Sequence, residues 1–135
     1  MSYAFDKTKS YRAQCLNVVD GDTVDLFVDL GFKMYTKARF RLSRINTPEL
    51  NSKDPVEVAK AQAARAYVNA AIRGSIGVSF DEKAWNLRIV PEKSADEYGR
   101  WLAEIYYMPD SVGRHDETSL NQELLDQGFA VLYKK

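Results

Sequence analysis

The 135-residue sequence has one cysteine, one histidine, no formal net charge and no long apolar run. A lone Cys15 excludes an internal disulfide and a multi-cysteine zinc site, and reads as a small buried hydrophobe. His115 sits in a polar stretch, which argues against histidine-based metal or triad chemistry. No segment approaches the ~20 apolar residues of a membrane helix, so no membrane partner is expected. The start, Met1-Ser-Tyr-Ala-Phe-Asp-Lys7, lacks the apolar core of a secretory leader, and a cytoplasmic location is the expectation. Zero net charge argues against gripping nucleic acid by bulk electrostatics. Internal repeats, low-complexity tracts and interdomain linkers are absent too.

What is there is a globular composition, 45% hydrophobic and 28% charged. The length suits one domain, expected over 11–135 behind a flexible segment 1–10, and a monomer. Charge is unevenly spread: five basic residues and no acid lie between Lys33 and Arg44. By itself that run reads as a solvated strand face.

Hydrophobic spacing predicts strands at Tyr11–Val19, Val24–Leu30 and Met34–Ile45. In the first, Ala13 and Cys15 share a side and Leu16 and Val18 fall out of phase, which predicts a bulge or bend. Asp20-Gly21 signals a hairpin. Pro55 opens a helix with Asp54 as N-cap and Glu57 completing a capping-box-like pair. Its expected apolar stripe is Val56, Ala59, Ala63, Ala66, Tyr67 and Ala70, with Gly74 as the stop. Further strands are expected at Gly77–Lys83, Leu87–Val90 and Arg100–Tyr107, then a polar loop at Asp110–Thr118. Ser119 and Gln122 form a second capping box for a short helix ended by Gly128, and Phe129–Tyr133 is extended. Short, turn-rich strands with two helices fit an α+β chain built on a small closed β-barrel with helices over its openings.

Three stretches carry chemistry. Asp20-Gly-Asp-Thr-Val24 offers a carboxylate, Asp22, to a hard cation. Arg39-Phe-Arg-Leu-Ser-Arg-Ile-Asn-Thr-Pro-Glu49 runs from a strand into a proline-fixed turn. Tyr98-Gly-Arg-Trp-Leu102 adds another guanidinium. Taken singly, the first is a hairpin tip, Pro48 a strand terminator, Arg39, Arg41 and Arg44 exposed barrel residues, and Tyr98 a packed aromatic. Their joint appearance in this order is harder to explain by turn chemistry, and the set suits a phosphodiester.

In this combination the chain resembles the staphylococcal nuclease (thermonuclease) family of calcium-dependent OB-fold nucleases. The resemblance rests on Val19-Asp-Gly-Asp-Thr-Val24, Phe40-Arg-Leu42 with Thr47-Pro-Glu49, Glu97-Tyr-Gly-Arg100 with Leu102-Ala103, and Ser119-Leu-Asn121 with Gln127-Gly128. It implies a five-stranded OB-fold barrel with a capping helix after the third strand and a short C-terminal helix. It assigns Arg41 and Arg100 as catalytic arginines and Glu49 as general base. Asp22, Asn46 and the Thr47 carbonyl become calcium ligands, and Tyr98 and Tyr133 line the nucleotide groove. Where the family pattern has a second metal-binding aspartate, this chain has Asn46, whose oxygen can ligate but adds no charge, so weaker calcium binding is expected.

The activity so implied is metal-assisted hydrolysis of DNA and/or RNA, on single-stranded or frayed substrate. The alternative is a catalytically weak or silent OB-fold module that binds single-stranded nucleic acid or a protein, using aromatics and a basic groove. Asn46 favours that alternative. The presence of Arg41, Glu49 and Arg100 together opposes it, since a mere binder needs no glutamate beside a phosphate.

Overall fold

A computed structural model describes residues 10–73, 85, 87–95, 101–107 and 119–133. The expected flexible start, the strand at Gly77–Lys83 and the loop at Asp110–Thr118 lie outside the described residues, as do Gly74, Tyr98 and Arg100.

Strands β1 (Tyr11–Asp20), β2 (Thr23–Gly31) and β3 (Met34–Leu42) form an antiparallel meander. Strands β5 (Leu87–Ala95) and β6 (Trp101–Tyr107) complete a closed barrel in the order β1-β2-β3-β6-β5. Closure uses one parallel seam, β3 with β6, where Arg41 lies opposite Leu102. The remaining pairings are antiparallel. This is the expected α+β OB-fold architecture, with helices α1 (Pro55–Arg73) and α2 (Leu120–Asp126).

The pattern in β2 explains the core. Val24, Leu26 and Val28 are buried and meet Ala13, Cys15 and Val18 from β1. Leu30 continues the alternation but is exposed, because it stands at the rim, where the barrel wall ends. The phase slip in β1 is real: register breaks between Cys15 and Asn17 and again between Val18 and Asp20. Two such bulges in one strand give the coiling that a small barrel needs.

Three expectations need correction. The third strand does not run on to Ile45. It stops at Leu42, Arg44 adopts φ +61°, and Ile45–Asn46 becomes a separate strand β4, paired with β7 (Val131–Leu132). On α1, the buried stripe is Ala61, Ala64, Val68 and Ile72, while Val56, Ala59, Ala63, Ala66 and Ala70 are exposed. Of the expected stripe only Tyr67 is packed, its hydroxyl donating to Glu123 at 3.0 Å. Alanine occurs on every side of this helix, so it gives hydrophobic periodicity little contrast. At its start, Asp54 caps Val56 N–H at 3.0 Å as expected, but the Asp54 amide donates to Ser52 Oγ at 3.1 Å rather than to Glu57.

Helix α1 lies so close to the β1–β2 turn that a Cβ on Gly21 would come within 2.8 Å of Ala64 Cβ. Glycine is required there by space. Helix α2 begins as expected, with Ser119 Oγ accepting from Gln122 N–H at 3.1 Å. Gly128, at φ +81°, follows it, as a helix stop should.

Candidate active site

The site lies where the β1–β2 turn, the end of β3 and the short β4 converge. Asp22 follows Gly21 in the turn, and its carbonyl accepts the Leu42 N–H at 2.8 Å, which joins the turn to the end of β3. Along β3, Ala38, Phe40 and Leu42 face inward, so the period of two puts Arg41 on the outer face. There β4 and Tyr133 cover it, and only 9% of Arg41 is exposed.

The Arg41 guanidinium has four neighbours, and its Nη1 donates to the Leu42 carbonyl at 3.4 Å. Nη2 donates to Asn46 Oδ1 at 2.8 Å and stands 3.5 Å from Asp22 Oδ2. Its carbon lies 5.0 Å from the centre of the Tyr133 ring. Charge-assisted N–H···O bonds to carboxylates run about 2.7–2.9 Å, so the short bond here goes to a neutral amide and the carboxylate is one step away. Arg41 is therefore buried, oriented and only partly neutralised. Such a guanidinium suits an incoming anion.

Asp22, 7% exposed, is fixed from two sides. Oδ2 accepts the Thr47 N–H at 3.0 Å and Oδ1 accepts the Thr23 hydroxyl at 3.1 Å. Thr47 brings one more oxygen: its buried Oγ1 has no hydrogen-bond partner among the described residues. Asp22, Asn46 and Thr47 thus supply oxygen donors of the kind a hard cation takes. They fit calcium in donor type. In charge they offer one carboxylate facing one guanidinium, and among the described residues no three acidic, histidine or cysteine side chains cluster. That balance favours low intrinsic affinity.

Behind the site stands a support that sequence reading did not single out. Asn121, fully buried on α2, donates to the carbonyls of Ser43 (3.1 Å) and Ala103 (3.2 Å) and accepts from Ile105 N–H at 3.1 Å. One side chain therefore ties the turn before β4 to β6. Arg44, expected as a plain exposed residue, pairs with Glu104 at 2.8 Å and reaches Gln122 at 3.2 Å. The Glu104 hydrogen bond raises the Arg44 pKa further. Ser119 Oγ also bonds Glu104. The Tyr133 N–H donates to Arg44 O at 2.8 Å, which sets the ring over Arg41. Ser119-Leu-Asn121 is a recognisable motif, but a single buried amide on an amphipathic helix gives no sequence signal of what it bonds.

Of the predicted site residues, Asp22, Arg41, Asn46, Thr47 and Tyr133 come together. Glu49 lies two residues past Thr47 and is exposed, its carbonyl accepting Ser52 N–H at 3.3 Å. Among the described residues its carboxylate has no hydrogen bond or ion pair to this cluster. Arg100 and Tyr98 fall outside the described residues.

Two comparisons bear on this arrangement. Protein ParB of Escherichia coli is similar, 27% identical over 124 residues, and the alignment spans 91% of this chain and 58% of ParB. A family model described as staphylococcal nuclease homologue matches residues 39–135, taking in Arg41, Asn46, Thr47, Glu49, Tyr98, Arg100 and Tyr133; Asp22 lies ahead of it. That match takes in the end of β3, β4 to β7 and both helices, well over half of the chain, and this protein belongs to the staphylococcal nuclease homologue family.

Proposed function

We propose that this protein is a calcium-assisted nuclease that hydrolyses phosphodiester bonds of DNA and/or RNA in single-stranded or frayed regions. The observation that carries the reading is the buried, oriented and incompletely neutralised guanidinium of Arg41, bonded to Asn46 and standing off Asp22. A phosphodiester brings the negative charge this group lacks. Arg41 donates to its non-bridging oxygens, and the donation strengthens as those oxygens gain charge in the transition state. Arg100 supplies the second fork in this reading. Glu49, exposed past the proline turn, takes the proton of the attacking water. Asp22, Asn46 and the Thr47 carbonyl would hold a calcium ion, which would supply positive charge and order water. Tyr133 keeps the Arg41 plane in register, and Tyr98 and Tyr133 border the nucleotide.

Heat-denatured DNA incubated with the protein tests this. Fragments are expected with calcium, none with excess chelator, and a loss of at least about a hundredfold in Glu49→Gln. Undiminished cleavage by Glu49→Gln removes the general base. Calcium titration of Asn46→Asp is expected to show tighter binding, because a second carboxylate joins the set; unchanged affinity takes residue 46 out of the metal shell.

The second reading, a silent binding module, is supported by one specific observation. The Asn46 oxygen offered to a cation is already bonded to Arg41. Oligonucleotide binding without calcium-dependent fragments is its signature.

A further inference from the structure

The β2–β3 hairpin turns on two residues that seldom make such a turn. Gly31 and Met34 close the ladder, so Phe32 and Lys33 form the loop, with φ +55° and +61°. Positive φ at both positions is the hairpin geometry that asparagine and glycine adopt readily, and a phenylalanine there is strained. The fold gives the ring nothing to pack on, since Phe32 is 98% exposed. Leu30 and Met34 beside it are exposed too, and Leu30 is the extra residue where the register shifts between Asp29 and Gly31. Phe27, Tyr35 and Trp85 stack on one another along the ribbon, with planes within 17° of parallel, whereas the Phe32 ring stands apart from them. A strained, exposed aromatic at a hairpin tip is a feature that folding does not explain.

Charge at this end is similarly open. Of the five basic residues between Lys33 and Arg44, Arg39 pairs with Asp25 at 2.7 Å, Arg44 pairs with Glu104, and Arg41 belongs to the candidate active site. Asp29, two residues before Gly31, is taken by Arg12, also at 2.7 Å. Lys33 and Lys37 are exposed and have no ion pair among the described residues. Lys33 stands in the turn itself, and Lys37 follows Met34 by about 10 Å of strand. A narrow apolar tip with unmatched ammonium groups fits the boundary of an anionic bilayer. There, apolar side chains reach about 5–10 Å in, and lysines extend to the headgroups. A folded protein partner fits less well, because a stable interface takes roughly 800 Å² from each side and three side chains on a two-residue turn offer much less.

We infer that the hairpin tip formed by Leu30, Phe32 and Met34 is an anchor for anionic lipid surfaces, which it enters while Lys33 and Lys37 meet the headgroups. No helix among the described residues is long and apolar enough to cross a membrane, but a surface anchor needs only a few apolar side chains with basic neighbours. Arg41 lies roughly 20 Å of strand from Met34, so an anchored molecule keeps its candidate active site clear of the bilayer. The inference does not depend on the nuclease reading.

Vesicle flotation tests it. Reversible binding is expected on vesicles of equal parts phosphatidylcholine and phosphatidylglycerol, and much weaker binding on phosphatidylcholine alone. Phe32→Asn is expected to lower the partition coefficient about tenfold without lowering the thermal midpoint, because asparagine accepts the positive φ that phenylalanine resists. Phe32→Leu keeps most of the binding. Lys33→Gln and Lys37→Gln each reduce it about fivefold, and added salt weakens it in the parent. No flotation of the parent, or equal flotation on both vesicle types, overturns the inference. So does undiminished binding by Phe32→Asn, and a loss of self-association by that variant instead, measured by sedimentation velocity, would make the tip a contact between copies.

Discussion

The two ends of the β2–β3 ribbon handle charge in opposite ways. At the Asp22 end, ions are buried and each is held by several neighbours: Arg41 by an amide, a ring and a carboxylate, Asp22 by an N–H and a hydroxyl. At the hairpin end the guanidiniums are about half exposed, although Asp29 also accepts the Gly31 N–H and Arg12 also faces the Trp85 ring. Arg39 with Asp25 and Arg12 with Asp29 stand on the surface beside stacked rings. The same two strands therefore provide a preorganised electrostatic centre and an adaptable surface. Burial decides which, because a charge in low dielectric must be held in place and a solvated one need not be.

The largest test of that contrast is Arg41→Ala, expected to cost about 10²–10³ in cleavage rate, with Arg41→Lys recovering little because a point charge cannot replace a planar fork. Single-turnover cleavage of denatured DNA measures it, and substantial rescue by lysine would reduce the site to bulk charge. Next comes Asn121→Ala. It takes the Asn121 partner from the Ser43 carbonyl and the Ile105 N–H in the interior, while the Ala103 carbonyl keeps the Ser43 N–H at 2.9 Å, and unsatisfied buried groups cost about 1–3 kcal/mol each. Urea unfolding is expected to show a loss of at least about 2 kcal/mol, alongside lower activity from a loosened β4.

The smallest effect belongs to the solvated end. Arg39, chiefly through its hydrogen bond, holds the Asp25 carboxyl below its ordinary value, and the Gly31 N–H with Arg12 does the same for Asp29. A carboxylate whose folded pKa is depressed stabilises the protein above its unfolded value and loses that contribution as pH falls through the folded one. The pairs thus matter near neutrality and fade below about pH 4. Asp25→Asn should lower the thermal midpoint slightly at pH 7 and less as the pH falls below about 4. A large drop at pH 7 would erase the distinction between the two ends.

Legibility in the sequence followed the same division. The β2 alternation, the β1 bulges and the Ser119 cap are local patterns, and they appear where spacing put them. The wrong face of α1 has an equally local cause: seven alanines in one helix give burial little to distinguish. The break after Leu42 was hidden because Ser43, Arg44 and Asn46 carry no apolar phase, and the positive φ of Arg44 depends on long-range ties to α2 and β7. Asp22, Arg41, Asn46, Thr47 and Tyr133 were nameable from motifs. The bond between Asn46 and Arg41 was not, since the four intervening residues give no hint that the chain doubles back.

The pairing of β4 with β7 has a consequence for vectorial synthesis. Residues 20–47 leave the ribosome early, and the barrel partners of β3 come later, but the ring that seats on Arg41 arrives with residues 131–133. Until then the guanidinium has its amide and no lid. A nascent chain can therefore complete most of its barrel before the segment that covers Arg41 has been made.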